Sequence, residues 1–192
     1  MFSFDLSTYE DLIELELPNC NIDLENLEWH RYNPRKFVNR FGCSITSLNG
    51  STSGVPDLDS LVEYNLEHGT NYNELDFTIP TKYANPFQFF LNDLTCGRSH
   101  YLKLGSGGFF PWHRDNDLYT FRVLYTIEGC GSNDLVWIQN DKVLELQNNR
   151  WYYVNTKKKH CLFSLNESVM AVFNVQISIA NFKKMIKLFK IK

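Results

Sequence analysis

The chain has 192 residues, with 19 Lys and Arg against 22 Asp and Glu and a formal net charge of −3. Hydrophobic residues make up 43% of it and aromatic residues 15%, which is typical of a folded globular protein and excludes a wholly disordered one. The weakly acidic balance argues against nucleic acid and anionic membrane surfaces as partners.

No apolar run in the sequence approaches the roughly 20 residues that a membrane-spanning helix needs. The chain starts MFSFDLSTYEDLIELEL. Because this stretch carries acidic residues and no basic ones, we expect no secretory signal peptide. The five cysteines are widely spaced and form no CxxC pair, so we expect a reduced, cytoplasmic compartment. From the weakly acidic charge and the lack of a long apolar run, we expect no contact with a membrane.

The length predicts one domain over residues 1–192. We expect an N-terminal elaboration over 1–96, a β-rich core over 97–180 and an amphipathic helix over 181–192. In the first part, residues 11–17 form a short helix or strand and 43–48 form a strand. Residues 56–68 and 86–94 are predicted to form helices, the first with Leu58, Leu61, Val62 and Leu66 on one side and an end at Gly69.

The second half predicts strands separated by turns. The strands cover residues 100–104, 118–127, 135–138, 143–146, 151–154, 160–165 and 169–179. Short strands without intervening helices are typical of a sandwich or jelly roll. We expect NES (166–168) to be a hairpin turn that places His160 opposite Asn174, with Met170 and Asn174 on a pocket wall.

The stretch PWHRDND (111–117) contains the pair His113 and Asp115. A chain of this composition contains about 0.3 His-x-Asp pairs by chance, so the pair alone means little. The only histidine after it is His160, 47 positions on and at the start of a predicted strand. That spacing allows several strands to return the chain beside the pair, and two histidines with one carboxylate form a facial metal site.

The segment RSHYLKLGSGGFFPWHRD (98–115), followed by a distal histidine, resembles the iron(II)/2-oxoglutarate dioxygenases, nearest to their aspartyl/asparaginyl β-hydroxylase-like branch. The resemblance covers about residues 97–180. It implies a mainly β, double-stranded β-helix (a cupin-like jelly roll) with a few flanking helices. It also implies Fe(II) held by His113, Asp115 and His160, with 2-oxoglutarate and molecular oxygen as cosubstrates and a small molecule or peptide as the substrate to be hydroxylated.

The chain departs from this family at one important position. Where relatives carry the Arg or Lys that pairs with 2-oxoglutarate, this chain has Met170, which cannot pair with a carboxylate. Arg122 is the first replacement candidate, and a structural pair between Arg122 and a nearby acid is the alternative. The predicted cosubstrate contacts are Arg122, Asn174, Lys103 and Tyr101, with Arg98 as a further basic candidate.

Two more residues are predicted to contact the substrate. Trp112 adjoins the metal pair, and Arg40 belongs to a group with Arg31 and Arg35 near Trp29 and Tyr32. A non-catalytic metal-binding jelly roll that has lost the 2-oxoglutarate pocket remains an alternative, because of Met170. A cupin-like isomerase or lyase is a third interpretation, for which His100 is the nearest extra histidine.

Overall fold

The computed structural model describes residues 10–33 and 38–188, so Arg35 lies outside the described residues. The strands are β1 (Leu12–Leu15), β2 (His30–Arg31), β3 (Arg40–Ser44), β4 (Thr46–Ser47), β5 (Ile79–Pro80), β6 (His100–Leu104), β7 (Phe109–His113), β8 (Thr120–Glu128), β9 (Leu135–Gln139), β10 (Lys142–Leu144), β11 (Arg150–Val154), β12 (His160–Ser164) and β13 (Ser168–Gln176). The α-helices are α1 (Leu61–His68), α2 (Gln88–Asp93) and α3 (Ile179–Leu188). Among the described residues, no helix is long and apolar enough to cross a membrane.

The last eight strands form two antiparallel sheets that face each other. The larger sheet has the order β1-β11-β8-β13-β6-β3-β2, and the smaller one has the order β10-β9-β12-β7. From β6 onward the chain alternates between the sheets, except where β10 directly follows β9 in the smaller one. This strand order is a double-stranded β-helix, so the predicted mainly β jelly-roll fold is confirmed.

The N-terminal part extends the larger sheet at both edges. Strand β1 pairs with β11, while β3 pairs with β6 and carries β2 outside it. Strands β4 and β5 form a separate two-stranded ribbon. These additions cover edges that would otherwise expose unpaired backbone groups.

The larger sheet buries both of its faces. In β13 the odd-numbered residues, such as Ala171 and Phe173, belong to a core with Trp151 and the residues around α2. The even-numbered Met170 and Val172 point the other way, toward the smaller sheet. Strands buried on both faces read as near-continuous apolar runs, as the sequence of β13 does.

The predicted hairpin between β12 and β13 is wrong. Strand β12 pairs with β9 and β7, whereas β13 pairs with β6 and β8. The NES turn therefore carries the chain from one sheet to the other. The two faces predicted for β13 are nevertheless present, because alternation along a strand does not depend on its partner.

Two helix predictions are partly wrong. Helix α1 is shorter than expected and ends at Gly69, as predicted, where φ is +65°. Of the residues predicted on its apolar side, Leu58 is buried but lies before the helix begins, whereas Val62 and Leu66 are 71% and 81% exposed. Helix α3 begins at Ile179, a residue assigned to the preceding strand, and it buries Met185 and Asn181.

Candidate metal centre and the cavity around it

The three predicted metal ligands come together at one end of the smaller sheet. His113 ends β7 and is the cross-strand partner of His160, which begins β12. Asp115 follows two residues after His113. One ligand atom from each of the three residues lies within 4.8 Å of the others. His113 Nε2 and Asp115 Oδ1 are 3.7 Å apart.

An irregularity in β7 aims His113 at this point. His160 pairs with His113 and Leu162 with Phe110, so three steps along β7 match two along β12. The extra residue is a β-bulge, which reverses the alternation of side chains beyond it. Phe110 and His113 therefore contact each other, with ring centres 5.8 Å apart. The strands predicted from the sequence leave out residues 105–117, so β7 is a strand that the prediction missed.

Both histidines have one ring nitrogen fixed by a backbone carbonyl. His113 Nδ1 lies 2.7 Å from the oxygen of Pro111, and His160 Nδ1 lies 3.0 Å from the oxygen of Lys158. A carbonyl can only accept, so each Nδ1 carries the proton and each Nε2 presents a lone pair. Burial also lowers the pKa of His160, which keeps its ring neutral. Neutral imidazoles with a fixed tautomer are what a metal requires of histidine ligands.

Asp115 is held as an anion by Arg122. Arg122 Nε donates to Asp115 Oδ2 at 2.9 Å. Burial has the largest single effect and raises the pKa of Asp115. The charge of Arg122, together with smaller contributions from His160, Thr156 and His113, outweighs it, so the net pKa falls. Burial likewise opposes the charge of Arg122, and the carboxylate of Asp115 raises its pKa. Asp115 Oδ1 stays directed at His113, so two imidazole nitrogens and one carboxylate oxygen form a donor set that fits non-haem iron(II).

The candidate centre opens into a cavity of about 790 Å³ between the two sheets. Apolar side chains form its inner wall, namely Leu102, Leu124, Trp137, Leu162, Met170 and Val172. Its opening lies between the start of α1 and residues 114–119, where Val62, Leu118 and Tyr119 are 71%, 79% and 57% exposed. A cavity of this size takes a ligand well beyond a few atoms.

Arg98 and Asn174 both bind Glu74, a residue that sequence analysis did not single out. Arg98 donates twice to the Glu74 carboxylate, at 2.7 and 2.9 Å. Asn174 Nδ2 donates to the same carboxylate at 2.5 Å. All three belong to one buried network, which joins the 3₁₀ helix Glu74–Asp76 to the larger sheet. Arg98 therefore already has a carboxylate partner.

The structure does not bring Tyr101, Lys103 or Trp112 to the cavity. In β6 the side chains of His100 and Leu102 line it, and alternation turns Tyr101 and Lys103 to the opposite face. The Tyr101 hydroxyl bonds to the oxygen of Tyr83, and the ammonium of Lys103 lies over Trp29. Trp112 is 47% exposed on the outside of β7. The predicted contacts of Tyr101 and Lys103 with the cosubstrate, and of Trp112 with the substrate, therefore do not fit the positions of these side chains.

Arg40 does line the cavity, as its predicted role in ligand binding requires. It is 6% exposed, and its guanidinium carbon lies 4.1 Å from the centre of the Phe110 ring. Two further polar groups face the same space. His100 Nδ1 and Trp137 Nε1 have no hydrogen-bond partner among the described residues. The sequence predicts Trp137 only as core, because nothing in the chain marks an indole nitrogen as unpaired.

No protein-family model matches the chain, and no curated protein does. Similar solved structures include a 2OG-Fe(II) oxygenase family oxidoreductase from Burkholderia pseudomallei, at 13% identity and a TM-score of 0.45, over 79% of this chain and 74% of that one. An RmlC-like cupin from Shewanella frigidimarina is 9% identical with a TM-score of 0.40, over 83% and 92% of the two chains. The resemblance to the aspartyl/asparaginyl β-hydroxylase branch stays a prediction.

Proposed function

We propose that the protein is an Fe(II)-dependent oxygenase that uses 2-oxoglutarate to hydroxylate a small molecule or an amino-acid side chain. The observation that supports this most strongly is the set of His113, Asp115 and His160. Each histidine has its Nδ1 proton tied to a carbonyl and its Nε2 directed at a shared point. Two imidazoles and one carboxylate leave the remaining positions of an octahedral metal open for ligands.

Bound Fe(II), with 2-oxoglutarate and oxygen, supplies the oxidising chemistry of such a site. The residues of this chain bind and orient. Arg122 holds Asp115 ionised and fixes its Oδ2, so that Oδ1 remains available to the metal. The apolar inner wall keeps bulk water from the reacting groups, and the exposed Val62, Leu118 and Tyr119 offer apolar contacts to a substrate at the opening.

Arg40 is our candidate for the residue that binds the far carboxylate of 2-oxoglutarate. Met170 cannot do so, whereas the buried guanidinium of Arg40 lines the cavity. Arg40 lies against the Phe110 ring, which in turn contacts His113. One aromatic ring thus separates its charge from a metal ligand. A guanidinium is suited to bidentate binding of a carboxylate, and the unpaired Trp137 Nε1 can donate to the same ligand.

A second candidate function is a metal-binding jelly roll that does not bind 2-oxoglutarate. Met170 favours it, because this residue is 1% exposed in an apolar wall at the position where relatives place a cation. This alternative predicts one bound metal per chain and no saturable binding of 2-oxoglutarate.

An anaerobic titration of Fe(II)-loaded protein with 2-oxoglutarate distinguishes the two candidate functions. The oxygenase predicts a saturable visible charge-transfer band, which the Arg40→Ala variant weakens or loses. Lys103→Ala is the matched control, since it removes a cation from the same part of the larger sheet but on the face turned away from the cavity. Bound iron without a band in the wild type would refute 2-oxoglutarate as cosubstrate, and failure to bind iron would refute both functions.

A further inference from the structure

The smaller sheet presents an apolar face to solvent. Its inward residues, such as Trp137 and Leu162, line the cavity, so alternation turns their neighbours outward. The outward positions, together with the adjoining Trp112 and Leu165, form what we call the outer face: Trp112, Val136, Ile138, Val143, Cys161, Phe163 and Leu165. None of these positions carries a charge.

The exposure of these apolar side chains is unusual for a sheet whose outer face is in contact with solvent. Val143 is 58% exposed, Trp112 47%, Leu165 46% and Phe163 45%. Antiparallel sheets with one solvated face normally alternate apolar and polar residues, with the polar ones outside. A contiguous apolar patch on a folded protein commonly marks an interaction site.

The charges around the outer face divide between its two ends. Lys142 and Lys159 are exposed at the end where His160 begins β12, with Asp141 beside them. Glu145 and Glu167 are exposed toward the opposite end, near the close of β12. One end of the face is therefore mainly basic and the other acidic.

We propose that this face is the interface of a homodimer, in which a second copy of the chain packs its own outer face against the first. A twofold axis lying across the strands would place the basic end of each copy over the acidic end of the other. Such an isologous contact needs a self-complementary surface, and an uncharged centre with opposite charges at its two ends provides one.

The size of the face sets the strength of the contact. Strands β7, β9 and β12 have five residues each and β10 has three, so with strands about 4.8 Å apart the sheet covers roughly 14 Å by 17 Å. Standard interfaces bury about 800 Å² from each partner, so the sheet supplies the apolar centre of a small interface. We therefore expect a dimer that dissociates on dilution through the micromolar range.

Sedimentation of the full chain over a range of concentrations tests the proposal. The wild type is expected to rise from the monomer mass of 22.5 kDa toward twice that value. Phe163→Asp, on the inner strand β12, should raise the dissociation constant at least about tenfold, because it buries a charge in the contact. Val143→Lys, on the edge strand β10, should raise it less. Unchanged thermal unfolding at high dilution would show that the variants fold.

Leu66→Lys is the control, since it charges an exposed apolar residue on α1 that belongs neither to the outer face nor to the cavity lining. It should leave the dissociation constant unchanged. A wild type that stays monomeric at every concentration would overturn the proposal, and the outer face would then bind a different partner or none. So would a dimer whose dissociation constant is the same in Phe163→Asp as in the wild type.

Discussion

Replacing Arg122 by methionine should destabilise the metal-free protein strongly. The substitution keeps the length and apolar stem of the side chain but removes the charge that faces Asp115. The two side chains are only 15% and 19% exposed, and their contact distance is 2.9 Å. Breaking a buried ion pair by removing one partner costs about 3–5 kcal/mol, since the other charge stays buried without compensation.

The lower end of that range applies here, because Asp115 retains some exposure and a hydrogen bond with Thr156. For a chain of this size, about 3 kcal/mol corresponds to a fall in Tm of roughly 6–12 °C. The folded-state pKa of Asp115 is lowered, so the stabilisation is present above its unfolded value near 3.8 and is lost as pH falls below it. The difference between wild type and variant should therefore shrink in acid.

Thermal unfolding in a chelator, followed by circular dichroism, measures this difference. Arg150→Met is the control, because the Arg150–Glu14 pair is 3.8 Å long and its side chains are 49% and 38% exposed. It should cost less than about 1 kcal/mol. Adding a divalent metal should restore part of the stability of Arg122→Met by supplying a new counter-charge. Equal, small losses in both variants would refute the assigned role of Arg122.

Three further outcomes follow from the buried groups and turns. Burial, together with the charges of Arg98 and Arg122, holds the pKa of His100 well below its usual 6.5. Urea unfolding should therefore show a stability loss between pH 7 and pH 5 that is about 2 kcal/mol larger in the wild type than in His100→Phe. Glu74→Gln should cost about 3–5 kcal/mol in the same assay by leaving Arg98 buried without its partner, and a loss below about 1 kcal/mol would contradict this. Gly129→Ala should prevent soluble folding or cost at least about 3 kcal/mol, because the new Cβ would lie 1.9 Å from the backbone oxygen of Glu167. In the control Gly107→Ala the Cβ meets nothing within 4 Å, so that variant should cost only about 1–2 kcal/mol for its positive φ. Similar losses of stability in both variants would show that the contact with Glu167 is not the cause.

The jelly roll and the clustering of the three candidate ligands could be predicted because both leave local marks in the sequence. Turn residues separate the strands of the second half, and His113, Asp115 and His160 are the one ordered set with the right ligand types. The structure brings their ligand atoms within 4.8 Å of each other. The pairing of strands could not be predicted in the same way, because the sequence of the NES turn is compatible both with a hairpin and with a crossing between the two sheets.

The partners of long side chains could not be predicted in the same way. Arg122 had several acids within reach along the chain, and only the folded structure selects Asp115. Glu74 is 24 residues from Arg98 and 100 from Asn174, so no local pattern connects them. Tyr101 and Lys103 were misplaced because a strand tells which residues share a face but not which face meets the cavity.

Metal stoichiometry tests the central claim most directly. Anaerobic Fe(II) binding should be measured by calorimetry and by metal analysis for the wild type, His160→Ala and His68→Ala, the last being an exposed histidine on α1. We predict one iron per chain in the wild type and in His68→Ala, and no tight binding in His160→Ala. Equal stoichiometry and affinity in all three proteins would contradict the metal centre and the function built on it.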